Sequence, residues 1–304
     1  MEMNIFAEKV SKVVGKVLGS DYRVEIKEVR KNNGVVRIGL AARAKDSDIA
    51  PTVYLEDFLA AYERGKPFGE VVSSMVCACY RGMVKEKTDL EFFRHFELVR
   101  DRICCRLVGR EGNEILLEEI PHVEFLDLAV CFYYAWNDDV LGRGSILIYN
   151  SHMEMWGIST EELYELAEVN TPRLFPWLFG TLPEILCDVE EEDGDGCEEM
   201  EKPAPEDIPD IPMRVLTNNI RCFGAACVLY PGVMEQVAER MGGDFYVFPS
   251  SLHEVILMPC DGMVTEEYMK TMISDINNTQ VDPEEVLSNS LYHYDARKKK
   301  LELV

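Results

Sequence analysis

The sequence predicts an α+β fold: mainly antiparallel sheets built from β-hairpins alternating with single helices, behind a helix-rich N-terminal half. Three observations carry this. Residues 22–44 set two alternating β-rich runs on either side of Asn33-Gly34, a dipeptide suited to the positive φ values of a tight hairpin turn. Residues 125–150 repeat the pattern, with "FLDLAVCFYYAW" and "GSILIYN" joined by the polar "NDDVLGRG". Beyond residue 212, short apolar runs alternate with single amphipathic stretches. Hairpins separated by single helices point to antiparallel pairing rather than to a parallel βαβ sheet.

The elements follow in order. Residues 4–18 place Phe6, Val10, Val13, Val14 and Val17 on one helical face. After the first hairpin, "TVYLEDFLAAYERGK" sets Tyr54, Leu55, Phe58, Leu59 and Tyr62 at helical spacing. Gly65 ends that helix and Pro67 opens the next, through about Met83. Residues 88–104 continue the helical pattern. Ser159-Thr160-Glu161-Glu162 is a capping box, with Ser159 as N-cap and Glu162 at N3. Pro172 and Pro176 are expected to end that helix after about Val169. "MRVLTN", "CFGAACVLY", "DFYVFP", "HEVILMP", "LYHYD" and "KLELV" read as strands, "GVMEQVAERMGG" and "TEEYMKTMISDINN" as helices. Residues 145–171 and 254–279 echo one another as strand, loop, Thr-Glu-Glu cap and helix, the form a duplicated unit or a shared capping rule would take. The expected divisions are 1–110, 111–187, an acidic, proline-containing flexible loop at 188–212, and 213–304. Residues 111–187 and 213–304 stand as separate units or as one composite domain.

Composition narrows the class. A hydrophobic fraction of 47% over 304 residues is that of a globular chain able to bury a core. Met1-Glu2-Met3-Asn4 opens without the basic and apolar regions of a secretory signal. The longest apolar run, 125–136, contains Asp127 and is too short to span a bilayer. The ten cysteines include Cys77-x-Cys79 and adjacent Cys104-Cys105 but no pair of zinc knuckles, so reduced, buried thiols are expected. These features predict a cytoplasmic protein with no membrane contact. Of the net charge of −24, half falls in residues 184–210, where thirteen acidic residues face Lys202 alone. Such a chain is poorly suited to nonspecific nucleic-acid binding, which relies on Lys and Arg to neutralise phosphates.

"PTVYLEDF", "IPHVEFLDLAVCFYY", "SILIYNSHMEMWGISTEELYELA", "NTPRLFP", "FGAACVLYPGV", "GGDFYVFPSSLHEVILMP" and "NTQVDPEEVLSNSLYHYD" span residues 50–295. In these motifs the chain resembles a family of uncharacterised proteins, a domain of unknown function from Gram-positive clostridial gut bacteria. The resemblance implies an intracellular bacterial protein of the kind carried on mobile elements. It implies no activity.

The candidate sites are loops. His253-Glu254 opens like the zinc-protease motif HExxH, but the residue four positions on is Leu257 and "VILMP" is β-rich. Ser250 or Ser251 beside His253 has the composition of a nucleophile and its base, and equally that of a hairpin turn whose hydroxyls bond local backbone. Asn150, Ser151, His152 and Trp156 follow a strand end, a place where functional groups collect. Arg173, between a helix end and aromatics, has the fork that clamps a carboxylate or phosphate, or that bridges to an acidic neighbour. His95, His122 and His293 read as packing, surface or strand residues. In the acidic segment, Asp193, Asp195 and Gly196 fit three EF-hand positions, but Glu191 and Lys202 occupy the first and twelfth, so a solvated loop and no metal is the expectation. No phosphate loop or dinucleotide fingerprint is present, and no cofactor is expected.

The leading reading is a non-catalytic binding or regulatory protein whose partner is another protein. One alternative is a hydrolase using Ser151/His152 or Ser251/His253, and another is an acidic nucleic-acid mimic. Whether the loops at 150–156, 170–173 and 249–254 converge separates them.

Overall fold

The computed structural model describes residues 1–45, 52–82, 91–138, 142–187, 213–262 and 264–304. The chain is α+β with antiparallel sheets, and it divides into two compact units.

The first unit comprises Met1–Val99 and Trp136–Ser145. Its opening helix, α1 (Met3–Leu18), buries Phe6, Val10, Val14 and Leu18, a row spaced by four residues. Val13 and Val17, expected on the same face, are 36% and 55% exposed. The buried stripe centres on Ala7, Val10 and Val14 and leaves those two at its flank. β1 (Tyr22–Arg30) and β2 (Val36–Ala44) pair from Tyr22↔Ala44 to Arg30↔Val36, and Asn33 and Gly34 turn between them with φ of 58° and 66°.

β3 (Thr52–Tyr54) pairs with β2, so Tyr54 lies in a strand rather than in the expected helix. That helix, α2 (Glu56–Glu63), begins only after Leu55, whose N–H donates to the Ile38 carbonyl. Two β-branched residues next to an unpaired strand edge gain more from ladder bonds than from an extra helical turn. α3 (Phe68–Gly82) then packs Val71, Val72, Met75, Val76 and Cys79 into one core with α1 and Leu40 and Ala42 of β2. α4 (Phe96–Val99) closes a series of short helical turns.

The second unit comprises Arg100–Ala135 and Ile146–Val304. After a 3-10 turn at Arg100–Arg102 its first strand is β4 (Ile103–Gly109), so the helical pattern expected through residue 104 stops short of Ile103. α5 (Glu114–Glu119), β5 (His122–Phe125), β6 (Leu128–Asp138) and β7 (Gly142–Leu147) follow, the end of β6 and the start of β7 falling in the Trp136–Ser145 stretch of the first unit. β6 pairs with β4, β5 and β7 in a four-stranded sheet. α6 (Asn150–Trp156) occupies the expected loop. α7 (Thr160–Leu174) starts at the Ser159 capping box and carries Pro172 within its last turn instead of ending at Val169. An interior proline costs about 3 kcal/mol; here that turn is anchored to the start of β4. Asn170 Nδ2 donates to the Arg100 and Ile103 carbonyls, and Thr171 Oγ1 accepts the Cys105 N–H at 3.0 Å.

β8 (Trp177–Gly180), α8 (Leu182–Cys187), β9 (Arg214–Asn218), α9 (Val233–Met241), β10 (Phe245–Phe248), β11 (Val255–Pro259), α10 (Glu266–Thr279), β12 (Tyr292–Asp295) and β13 (Lys300–Leu303) complete the unit. The six strands form an antiparallel sheet in the order β13-β12-β10-β11-β9-β8. "CFGAACVLY", expected as a strand, instead forms a 3-10 helix at Gly224–Leu229. Ala225, Ala226 and Cys227 are fully buried, so the run is apolar because it is enclosed, a property that strands and buried helices share.

Candidate functional site

The second unit gathers several of the candidate residues around two that the sequence did not single out, Arg106 and Phe223. Arg106 is the one charged residue in the strand "ICCRLVG". It lies opposite Cys131 of β6, and antiparallel partners project to the same face of the sheet. Phe223 covers it, with the Arg106 guanidinium carbon 4.9 Å from the ring centroid. Tyr133 meets the same ring edge-on at 5.4 Å, and His253 stacks on it at 6.1 Å and 20°.

Phe223 reaches this position through a strained turn. Arg221 and Phe223 both have positive φ, 52° and 56°. The buried Asn218 holds the turn: its Oδ1 accepts the Ile220 and Cys222 N–H groups, and its Nδ2 donates to the Cys222 carbonyl at 2.8 Å. Gly224 follows because there is no room for a side chain. A Cβ there would overlap Thr217 Oγ1 and the His253 carbonyl and lie 2.8 Å from Asn218 N. Thr217 Oγ1 donates to that same His253 carbonyl at 2.7 Å. Asn218-Asn219 and Gly224, turn-forming residues a few positions apart, are the signal that a bend and not a continuous strand occupies 218–224.

His253 is engaged on both ring nitrogens. Its Nδ1 accepts the Phe223 N–H at 3.3 Å, and its Nε2 lies 3.4 Å from Glu285 Oε1. Ser251 Oγ accepts the His253 backbone N–H at 3.0 Å, the turn-closing bond expected of a hairpin serine. Ser250 is buried, and its carbonyl accepts the Leu287 N–H. Glu254, hydrogen-bonded to Ser251, is held above the usual carboxylate range, chiefly by burial.

The "NSH" residues sit on α6 near the same face. The Tyr149 N–H donates to His152 Nδ1 at 3.1 Å, the His152 N–H donates to the Tyr149 carbonyl, and the His152 ring contacts both Tyr149 and Trp156. Burial lowers the His152 pKa, which favours a neutral ring. Asn150 Nδ2 donates to the Glu118 carbonyl, and Ser151 is exposed. Tyr149 is electrostatically close to Arg106, as are Cys131, Tyr133 and Cys222. The 249–254 segment reaches Arg106 through the His253–Phe223 stack, and Tyr149, next to the 150–156 segment, acts on Arg106 only electrostatically.

Arg173 is committed elsewhere. It donates to the Asp101 carbonyl and to Asn170 Oδ1 at 2.9 Å, bracing the end of α7. His122 Nδ1 is bonded to the Ile120 carbonyl, and His293 lies 4.0 Å from Asp244. Asp193 and Asp195 lie outside the described residues. Among the described residues no group of three or more His, Cys, Asp or Glu is arranged to hold a metal ion, and no helix is long and apolar enough to cross a membrane. Burial pushes the thiols of Cys104 and Cys131 up to about 12, leaving them protonated at neutral pH.

A family model described as a family of unknown function (DUF5688) matches residues 3–296. The chain belongs to this family. The match includes residues of both compact units. No curated protein and no solved structure matches the chain.

Proposed function

We propose that this chain is a non-catalytic binding protein that engages another protein through the face built by Arg106, Tyr149, Phe223 and His253. The Arg106 guanidinium carries this reading. Its Nε is cut off from solvent, and among the described residues neither Nε nor the rest of the fork has an acceptor. The residue is half-buried, and the shut-off Nε–H has lost its water without gaining an acceptor from the described residues, a cost most readily retained where a partner supplies that acceptor.

The state of His253 supports binding over hydrolysis. A general base needs an imidazole nitrogen within reach of the nucleophile, whereas Phe223 and Glu285 occupy the two nitrogens and Ser251 meets the His253 backbone N–H and the Glu254 carboxyl instead of the ring. The test is affinity capture from the source cells with wild type and Arg106→Met as paired baits. At least one protein should be recovered by wild type and lost from the variant. Identical sets from both baits would overturn the reading.

A further inference from the structure

No carboxylate among the described residues pairs with Arg106; the nearest on its face, Glu285, is turned to His253. The groups that act on it most are Cys131, Tyr133, Cys222 and Tyr149, none of them a carboxylate. Burial raises Tyr133 well above the ordinary tyrosine range and Cys131 to about 12, so neither supplies an anion near neutral pH. This is unusual in a chain with 55 Asp and Glu residues. Burial also lowers the Arg106 pKa, but an arginine starts high enough to stay charged. Phe223 lies over the guanidinium and offers it no acceptor, so the N–H groups of the fork are what an incoming acceptor would meet. The wall is built rather than incidental. Asn218, Gly224 and His253 together hold Phe223 in its positive-φ conformation.

We infer that Arg106 is a carboxylate-binding site, taking the carboxylate of a peptide or small molecule edge-on against Phe223 and Tyr133. This rests on the binding reading above and names the chemistry of the occupant. A carboxylate matches the fork in geometry, with two parallel N–H···O bonds. It also matches in charge. One guanidinium neutralises one monoanion, whereas a phosphate dianion would bring an unpaired charge against neutral aromatic rings. The aromatic walls favour an apolar group next to the carboxylate.

The test titrates the full chain with sodium benzoate, and separately with inorganic phosphate, at constant ionic strength. Calorimetry and the Arg106 Nε–H resonance report binding. Benzoate should bind saturably and move that resonance, with phosphate at least about tenfold weaker, and both Arg106→Met and Arg106→Lys should lose at least about tenfold in benzoate affinity, the order expected for losing a charge-assisted pair. Arg106→Met should melt no lower than wild type, since it removes an unpaired charge. Arg106→Lys keeps the charge and tests the fork alone. Absence of saturable benzoate binding, retention of it in both variants, or tighter phosphate binding would each overturn the assignment. Capture lost in Arg106→Met without benzoate binding removes the carboxylate and leaves the protein-binding face standing. Benzoate binding with capture unchanged supports the carboxylate site and removes the protein partner.

Discussion

Replacing Asp127 with alanine removes the acceptor that ties two C-terminal residues to the turn between β5 and β6. Asp127 Oδ2 accepts the Ser288 hydroxyl at 2.6 Å, and Oδ1 accepts the Tyr292 hydroxyl. Tyr292 is 1% exposed, so no water replaces the lost acceptor. Its hydroxyl is held above the ordinary tyrosine range by burial and by Asp127, and remains a donor at any ordinary pH. A hydrogen bond to a charged group contributes about 1.5–3 kcal/mol, and an orphaned buried donor costs about 1–3 kcal/mol. Two bonds, one of which orphans a fully buried donor, set the expected loss for Asp127→Ala at about 3–4 kcal/mol. Tyr292→Phe removes one bond without leaving an orphan hydroxyl on the tyrosine, and should cost about 1–2 kcal/mol. In the double variant the orphan is gone, so its loss should fall short of the sum by at least about 1 kcal/mol.

Urea denaturation followed by the fluorescence of Trp156 and Trp177, both in the second unit, measures all three. Losses that add within about 0.5 kcal/mol would refute the shared bond. The latch also bears on the candidate site. The backbone at 285–288 bonds to Pro249, Ser250 and Leu252, and Glu285 meets His253. Asp127→Ala should therefore shift the His253 ring resonances as well.

Two further outcomes follow from the same face. Gly224→Ala drives a methyl into the His253 carbonyl and Thr217, and should destabilise the second unit by about 1–3 kcal/mol, the usual range for overpacking. A wild-type urea midpoint for Gly224→Ala would show that the turn yields without cost. Glu254 has a raised pKa in the folded chain, so between its ordinary value and that raised value the native state holds a proton that the unfolded chain has released. Stability from this group therefore falls as pH rises through that window and stays lower above it. Glu254→Gln should flatten that slope and gain stability relative to wild type at neutral pH. Urea midpoints measured across the acidic range check this, and parallel profiles for the two proteins would contradict it.

Much of the fold is legible because it is written in local rules. Asn33-Gly34 turns the first hairpin, the Ser159–Glu162 box starts α7, and Thr265 accepts the Tyr268 N–H to start α10. What misleads is burial that erases periodicity. "CFGAACVLY" is apolar along most of its length, and such a run reads alike as an enclosed strand or an enclosed helix. Pro172 misleads for a related reason. Its cost is local and visible, whereas the bonds of Asn170 and Thr171 that hold the turn reach residues 70 and 66 positions away.

By itself the sequence determined the α+β class, the hairpin and cap positions, and the absence of a zinc-protease helix at His253, since each depends on neighbours within a few residues. Only the tertiary structure decided that Ser251 bonds the His253 backbone and Glu254 and not the His253 ring, that Arg173 braces α7, and that Arg106, Phe223, His253 and Glu285 share one face. Those residues lie on different elements, and nothing in local spacing records which side chains of separate strands and turns come within reach. The lone arginine of "ICCRLVG" is visible in the sequence; that the fold leaves its guanidinium without an acceptor among the described residues is a property of the packed structure alone.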